Sequence, residues 1–362
     1  MSAQTKNDGF GLLAIRAKPK ARLKQVFPVA FGYHAEAEGH QPSELLKLAL
    51  QAHRSGFDFI AISDHFHPWF HTHAASCFAW TWISAAAATV PKVKLGPLVS
   101  AAIGRYNPPL IAQAFATMDE MYPGRFFLGL GTGEAMNEIP LGIPWPKFGE
   151  RLQRLKETVE IIRALWTTEF VDYRGKCYSL KSANLYTKPR TKIPIYMAAS
   201  GPRSAALVGS HADGYATVDH LLPRFKEIWQ AIESSAKKAG RDPKAISRNI
   251  ELFVSYDKDY ANALSSARRW KPVLIPDVLN QPIYDPRQLE DRGSHVDDSE
   301  IKKTWTIATD AEELIKKAES VISVGFNEVQ FHSSSPSEEE FMRAYSEEVL
   351  PYLKSTYGKI AS

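Results

Sequence analysis

Ten consecutive residues, Asp64 to His73, hold an aspartate, four histidines, a tryptophan and a proline. Imidazoles exchange protons near neutral pH, so this segment can do acid–base work. His65 adjoins Asp64, and a carboxylate beside an imidazole can orient it and raise its basicity, giving a general base. The alternative is a histidine that only hydrogen-bonds its own loop. Trp69 has two readings as well: a pocket wall that lends its indole N–H, or plain packing.

A second group lies downstream, in Gly131-Thr132-Gly133-Glu134-Ala135-Met136-Asn137-Glu138. Glycines on both sides of Thr132 let backbone amides approach a ligand, and Glu134 follows a strand-like run. The competing reading is a helix-cap loop whose acids favour the dipole. A third group, Ala198-Ala199-Ser200-Gly201-Pro202, either binds phosphate through backbone amides or is an ordinary turn. His65-Phe66-His67 also resembles the histidine pair that barrel metallohydrolases place at a strand end. His71, His73, His220 and His332 could be recruited, but no paired Asp or Glu completes the ligand set, so no metal is expected.

The elements that must position these groups alternate regularly. Phe57 to Ile62 is an apolar run without helical period, read as a strand buried on both faces. Further strands are read at Val26–Tyr33, Lys94–Val99, Phe126–Leu130, Ile193–Ala198, Asp213–Val218, Glu251–Tyr256 and Glu328–Phe331. Helical patterns separate them, opened by Pro42 and Pro108 and stopped by Gly56. Eight strands alternating with helices predict an α/β fold, a (β/α)8 TIM barrel with its site at the strands' carboxyl face. A doubly wound sheet is the runner-up, although no glycine-rich dinucleotide fingerprint follows the first strand. The expected organisation is a basic extension over 1–25 and one barrel domain over 26–362. Insertions are expected near 170–186, as a small hairpin, and 271–300, as an ordered segment near the site.

Balanced charge, 44 basic against 40 acidic residues, argues against a nucleic-acid partner. No continuous apolar stretch suits a membrane span, and the N-terminal residues lack a signal-peptide pattern. Two cysteines, Cys77 and Cys177, suit a reducing cytoplasm.

Taken together, Ser63-Asp64-His65-Phe66-His67-Pro68-Trp69, Arg105-Tyr106-Asn107-Pro108, Tyr122-Pro123-Gly124-Arg125 and the Gly131 and Ala198 loops resemble the luciferase-like family, in its deazaflavin-dependent dehydrogenase branch. The resemblance runs from about Phe27 to the C-terminus. It implies coenzyme F420, an 8-hydroxy-5-deazaflavin that carries hydride, with flavin mononucleotide as the competing cofactor of a monooxygenase. It implies that His65 takes the substrate proton, Trp69 positions the substrate oxygen, and Glu134 balances charge at the ring. Asp64, Val99, Thr132, Gly133, Asn137, Ala198, Ala199, Ser200, Gly201 and Pro202 would hold the cofactor. A non-proline cis peptide would fall at Leu98–Val99. The implied reaction is oxidation of a secondary alcohol by a cytoplasmic homodimer acting on a small molecule. The alternative is a sugar-phosphate dehydrogenase; its three phosphate-gripping cations would fall at Leu221, Asp291 and Thr304, with Arg224, Arg292, Lys302 and Lys303 near enough to substitute.

Overall fold

A computed structural model describes residues 28–358, so the basic stretch 1–25 and the start of the expected first strand lie outside the described residues. The described elements run in order β1 (Ala30–Ala35), α1 (Pro42–Ser55), β2 (Phe59–Ile62), α2 (Ala79–Thr89), β3 (Lys94–Pro97), β4 (Ser100–Ala101), α3 (Pro108–Met121), β5 (Leu128–Gly131), α4 (Ala135–Glu138) and α5 (Phe148–Thr167). Then follow β6 (Val171–Arg174), β7 (Ser179–Ala183), β8 (Ile195–Ala198), α6 (Pro202–His211), β9 (Gly214–Val218), α7 (Phe225–Lys238), β10 (Ser247–Tyr256) and α8 (Tyr260–Ala267). The chain ends with α9 (Pro286–Ser294), α10 (Asp298–Thr304), β11 (Thr306–Ala308), α11 (Ala311–Ser323), β12 (Glu328–Ser333), α12 (Glu338–Ala344) and α13 (Leu350–Tyr357).

The main sheet runs β3-β2-β1-β12-β10-β9-β8-β5, with every one of these pairs parallel. A parallel bridge between Leu95 and Phe126 joins its two ends, so the eight strands close into the expected barrel. Closure gives each of these eight strands a neighbour on both sides. The surrounding helices bury their apolar stripes on it; α1 does so through Leu45, Leu48, Ala49 and Ala52 and ends at Gly56, whose φ of 97° suits glycine.

Three inward glycines shape the barrel floor. Gly32 pairs with Phe59, Gly214 pairs with Tyr196, and Gly96 lies beside Phe127. A Cβ on each would come within 2.2–2.5 Å of its neighbouring aromatic ring. The missing side chains let Phe59, Phe127 and Tyr196 fold across the interior, edge against face, and seal it. The cavity above that plug is where the strand-exit loops converge.

Two departures from the sequence reading matter. The third strand does not run through to Val99: it stops at Pro97, the Leu98–Val99 peptide is cis, and pairing resumes at β4 against β5. Pro97 has no N–H for the ladder, which makes this a natural place to leave it. The first strand, read to Tyr33, continues to Ala35 and aims the next residues at the mouth. The hairpin β6–β7 forms as expected. The 271–300 segment is ordered too: Asp285 and Asp297 cap α9 and α10. With the flanking Trp270 and Ile301, it packs Ile275 and Leu289 against Trp69 and Phe70 as a second apolar cluster beside the site.

The plug predicts a cost for any added methyl group. Gly32→Ala and Gly214→Ala should each destabilise the protein by about 1–3 kcal/mol, the usual range for overpacking. Denaturant unfolding of the variants measures it; wild-type midpoints would contradict this description of the floor.

Candidate active site

Three strand-exit loops meet at the barrel mouth and place one histidine between two carboxylates. His65, after β2, directs Nδ1 at Glu38 Oε1, after β1, as an ion pair. Its Nε2 faces Glu134 Oε2, after β5, at 3.3 Å. Glu38 is buried and steadied by Ser63 Oγ, which donates to its Oε2 at 2.8 Å. Glu134 occupies the N-cap position of α4, but its side chain caps no amide of that helix. It accepts a hydrogen bond from Asn137 Nδ2 at 3.0 Å instead, while Asn137 Oδ1 accepts from the Phe66 amide at 2.6 Å. Asn137 thus ties the β5 loop to the β2 loop and fixes Glu134 beside His65. Trp69 stands edge-on to the imidazole, ring centroids 6.0 Å apart.

This arrangement decides who holds the proton. Burial opposes a charged imidazole, but Glu38, and then Glu134, outweigh it and push His65 up to about 10. Burial likewise works against the Glu38 carboxylate, yet His65 holds it down to about 2. Both carboxylates thus favour the protonated imidazole over the neutral one.

The orienting carboxylate is Glu38, which corrects the sequence reading that gave this part to Asp64. Asp64 faces away from the imidazole. Its Oδ2 accepts from Ser100 Oγ at 2.5 Å, and its Oδ1 accepts from Tyr106 at 3.0 Å and pairs with Arg105 Nη2 at 2.9 Å. Arg105 Nη2 also donates to the Asp64 carbonyl at 2.7 Å, so the clamp grips the backbone immediately before His65. A first strand ending at Tyr33 leaves Glu38 out of the site; Glu36 and Glu38, one strand period apart just past β1, carry the signal for it.

A cavity of about 880 Å³ opens beside these groups. It brings together His65, Trp69, Glu134, Asp64, Val99, Thr132, Gly133, Asn137, Ala198, Ala199 and Ser200; Gly201 and Pro202 fall outside its wall. His67 leaves the site, its Nδ1 2.8 Å from the Tyr284 carbonyl, and the His71 amide donates to Glu290 at 3.2 Å. Those two residues dock the 271–300 segment rather than join His65.

One side of the cavity suits a flat ring with an anionic tail. Leu98, Val99, Ala101, Gly131, Gly133, Ala198 and Ala199 make a smooth wall of small or apolar groups. Gly133 has φ 68° and no room for a Cβ beyond 3.0 Å of Ile103, so glycine is required there. Thr217 Oγ1 is buried on this wall without a partner among the described residues. Arg151, nearly buried and stacked 4.0 Å over Trp145, makes no ion pair among the described residues and can meet negative charge.

Residues 25–328 match the family described as luciferase-like monooxygenase. The chain is 37% identical over 333 residues to a protein named F420-dependent glucose-6-phosphate dehydrogenase from Microbacterium testaceum, covering 91% of this chain and 99% of that one. It is 38% identical over 331 residues to one of the same name from Segniliparus rotundus, with 91% and 99% covered. A solved structure, F420-dependent secondary alcohol dehydrogenase in complex with an F420–acetone adduct, superposes with a TM-score of 0.87 at 35% identity, covering 90% of this chain and 99% of that chain. The chain is a member of the luciferase-like monooxygenase family.

Proposed function

We propose that this chain is a coenzyme F420-dependent dehydrogenase that interconverts a secondary alcohol and its ketone. The observation that carries the reading is His65 held between Glu38 and Glu134 at the edge of a cavity shaped for a planar ring. Relatives named as F420-dependent dehydrogenases support the cofactor. When bound, the deazaflavin supplies a ring carbon that accepts or returns hydride.

Val99, Thr132, Gly133, Asn137, Ala198, Ala199 and Ser200 would hold that ring, and Arg151 would meet its anionic tail. Asp64 would border the ring while bracing the loop through Arg105. Glu38 keeps one proton on His65 Nδ1, which makes Nε2 the working nitrogen. In the reducing direction the imidazolium donates from Nε2 to the oxygen of the ketone as hydride arrives. In the oxidising direction neutral His65 takes the hydroxyl proton at Nε2. Glu134, next to Nε2, offsets positive charge on that side of the cavity. Trp69, with Phe253, Trp270 and Ile275, walls the substrate side with apolar surface that excludes water.

Substrate class turns on the cations of that cavity. Leu221 and Thr304 line it without charge, and Asp291 lies off its wall. Arg224 contacts Glu227, Lys303 pairs with Glu300 at 2.6 Å, and Lys317 pairs with Asp219 at 2.8 Å. A phosphate would have to compete with a carboxylate for each of these three, which supports a neutral alcohol. A sugar phosphate is the second reading, favoured by the names of the sequence relatives. Free Cys77 and Cys177 fit a cytoplasmic setting.

The raised His65 value gives the pH dependence its sign. Oxidation needs neutral His65, so its kcat/KM should climb roughly tenfold per pH unit from neutrality and level off near pH 10. Reduction needs the imidazolium and should hold steady until that point, then fall. Glu38→Gln removes the main charge that raises His65 and should move both breaks to lower pH. Steady-state rates in the two directions test this; flat oxidation from pH 7 to 9 would remove His65 from its role.

Removal of the imidazole gives a second test. His65→Ala should lose about 10²–10⁴-fold in turnover, the usual weight of acid–base catalysis, while binding deazaflavin as the wild type does. Fluorescence titration with deazaflavin and, separately, flavin mononucleotide checks the cofactor: tight binding of flavin mononucleotide alone would overturn it. Secondary alcohols and glucose 6-phosphate assayed together decide between the two substrate classes.

A further inference from the structure

Within the same cavity the barrel carries a second polar cluster that the proposed chemistry does not use. Parallel register sets His34 on β1 opposite His332 on β12, and Glu251 on β10 opposite Gln330 on β12. All four are buried, and all four line the cavity. The two imidazoles stack at 4.8 Å and turn toward one carboxylate. His332 Nδ1 lies 2.7 Å from Glu251 Oε1, and His34 Nδ1 lies 3.7 Å from Glu251 Oε2 and 3.2 Å from Gln330 Oε1. One ligand atom from each of His34, Glu251 and His332 falls within 4.8 Å of the others.

We propose that His34, Glu251 and His332 form a binding site for a divalent ion of the zinc class, with Gln330 Oε1 beside it. Two imidazoles and one carboxylate are a donor set for zinc, cobalt or nickel, not for magnesium or calcium, which take oxygen. Ligand atoms about 2.0–2.1 Å from a tetrahedral ion stand roughly 3.3 Å apart. The His34 contacts of 3.2 and 3.7 Å bracket that spacing. The 2.7 Å contact would open as the ion displaces the proton shared by His332 and Glu251.

Two more buried carboxylates follow β1, Glu36 held by Arg269 at 3.2 Å and Glu38 held by His65. His332 joins the cluster through Nδ1, and its Nε2 is buried without a partner among the described residues. Because the four residues line the cavity, an ion can enter from the barrel mouth. This site is distinct from the histidines after β2 and does not depend on which cofactor the chain uses.

Untagged protein, stripped with a chelator, tests the proposal by calorimetric titration with Zn²⁺ and visible absorption with Co²⁺. The expected result is one ion per chain, with cobalt bands of low coordination number that Zn²⁺ abolishes. His34→Phe and Glu251→Gln should each weaken binding at least 100-fold, and His67→Ala should leave it unchanged. Circular dichroism establishes that the variants are folded, and the wild-type cobalt spectrum stands without them. Absence of a stoichiometric ion, or equal binding by folded His34→Phe and Glu251→Gln, would overturn the site and leave a hydrogen-bonded polar layer.

Discussion

The site depends on one interaction, a half-buried imidazole held between two carboxylates. An isolated charge at His65 would be expensive to take from water, and the cost is offset only because Glu38 and Glu134 approach it from opposite ring nitrogens. Neither carboxylate neighbours His65 in sequence. They come from β1 and β5, while the histidine follows β2, so the pair exists only once the barrel closes. Catalytic competence on this reading is a property of the closed sheet, not of any loop alone.

Several unrelated features serve that contact. The Asp64 clamp, built from Ser100, Tyr106 and Arg105, fixes the backbone ahead of the histidine. Asn137 fixes the other carboxylate and ties two loops together. The aromatic plug of Phe59, Phe127 and Tyr196 closes the barrel below, and Trp270, just ahead of the 271–300 segment, clusters with Trp69 from above. The result is a fixed polar centre flanked by aromatic and aliphatic groups, where electrostatic contacts weigh more than they would in bulk water. Exposed ion pairs such as Lys316 with Glu312 contribute little by comparison.

Much of this was legible in the chain. Buried parallel strands are nearly continuous apolar runs, so Phe57 to Ile62 and its counterparts stand out, and their count gives the barrel. Strand-exit positions then point to His65, Trp69 and Glu134 before any side-chain geometry is known. What was not legible depends on contacts distant in sequence. Asp64 beside His65 suggests a couple, but adjacent residues at a strand exit point different ways, and Asp64 turns to Ser100 and Tyr106 instead. Glu38 needed the exact end of β1, and strand ends are the weakest part of any sequence reading. The protonation state of His65 was further out of reach, since it is set by two charges from other strands.

The most direct test of the account follows the hydrogen itself. A secondary alcohol carrying deuterium on its carbinol carbon would be incubated with the protein and oxidised coenzyme F420, and the reduced coenzyme analysed by mass spectrometry and NMR. Hydride transfer within the cavity predicts one deuterium on the coenzyme ring per molecule of ketone formed. Ketone formation with an unlabelled coenzyme would contradict it.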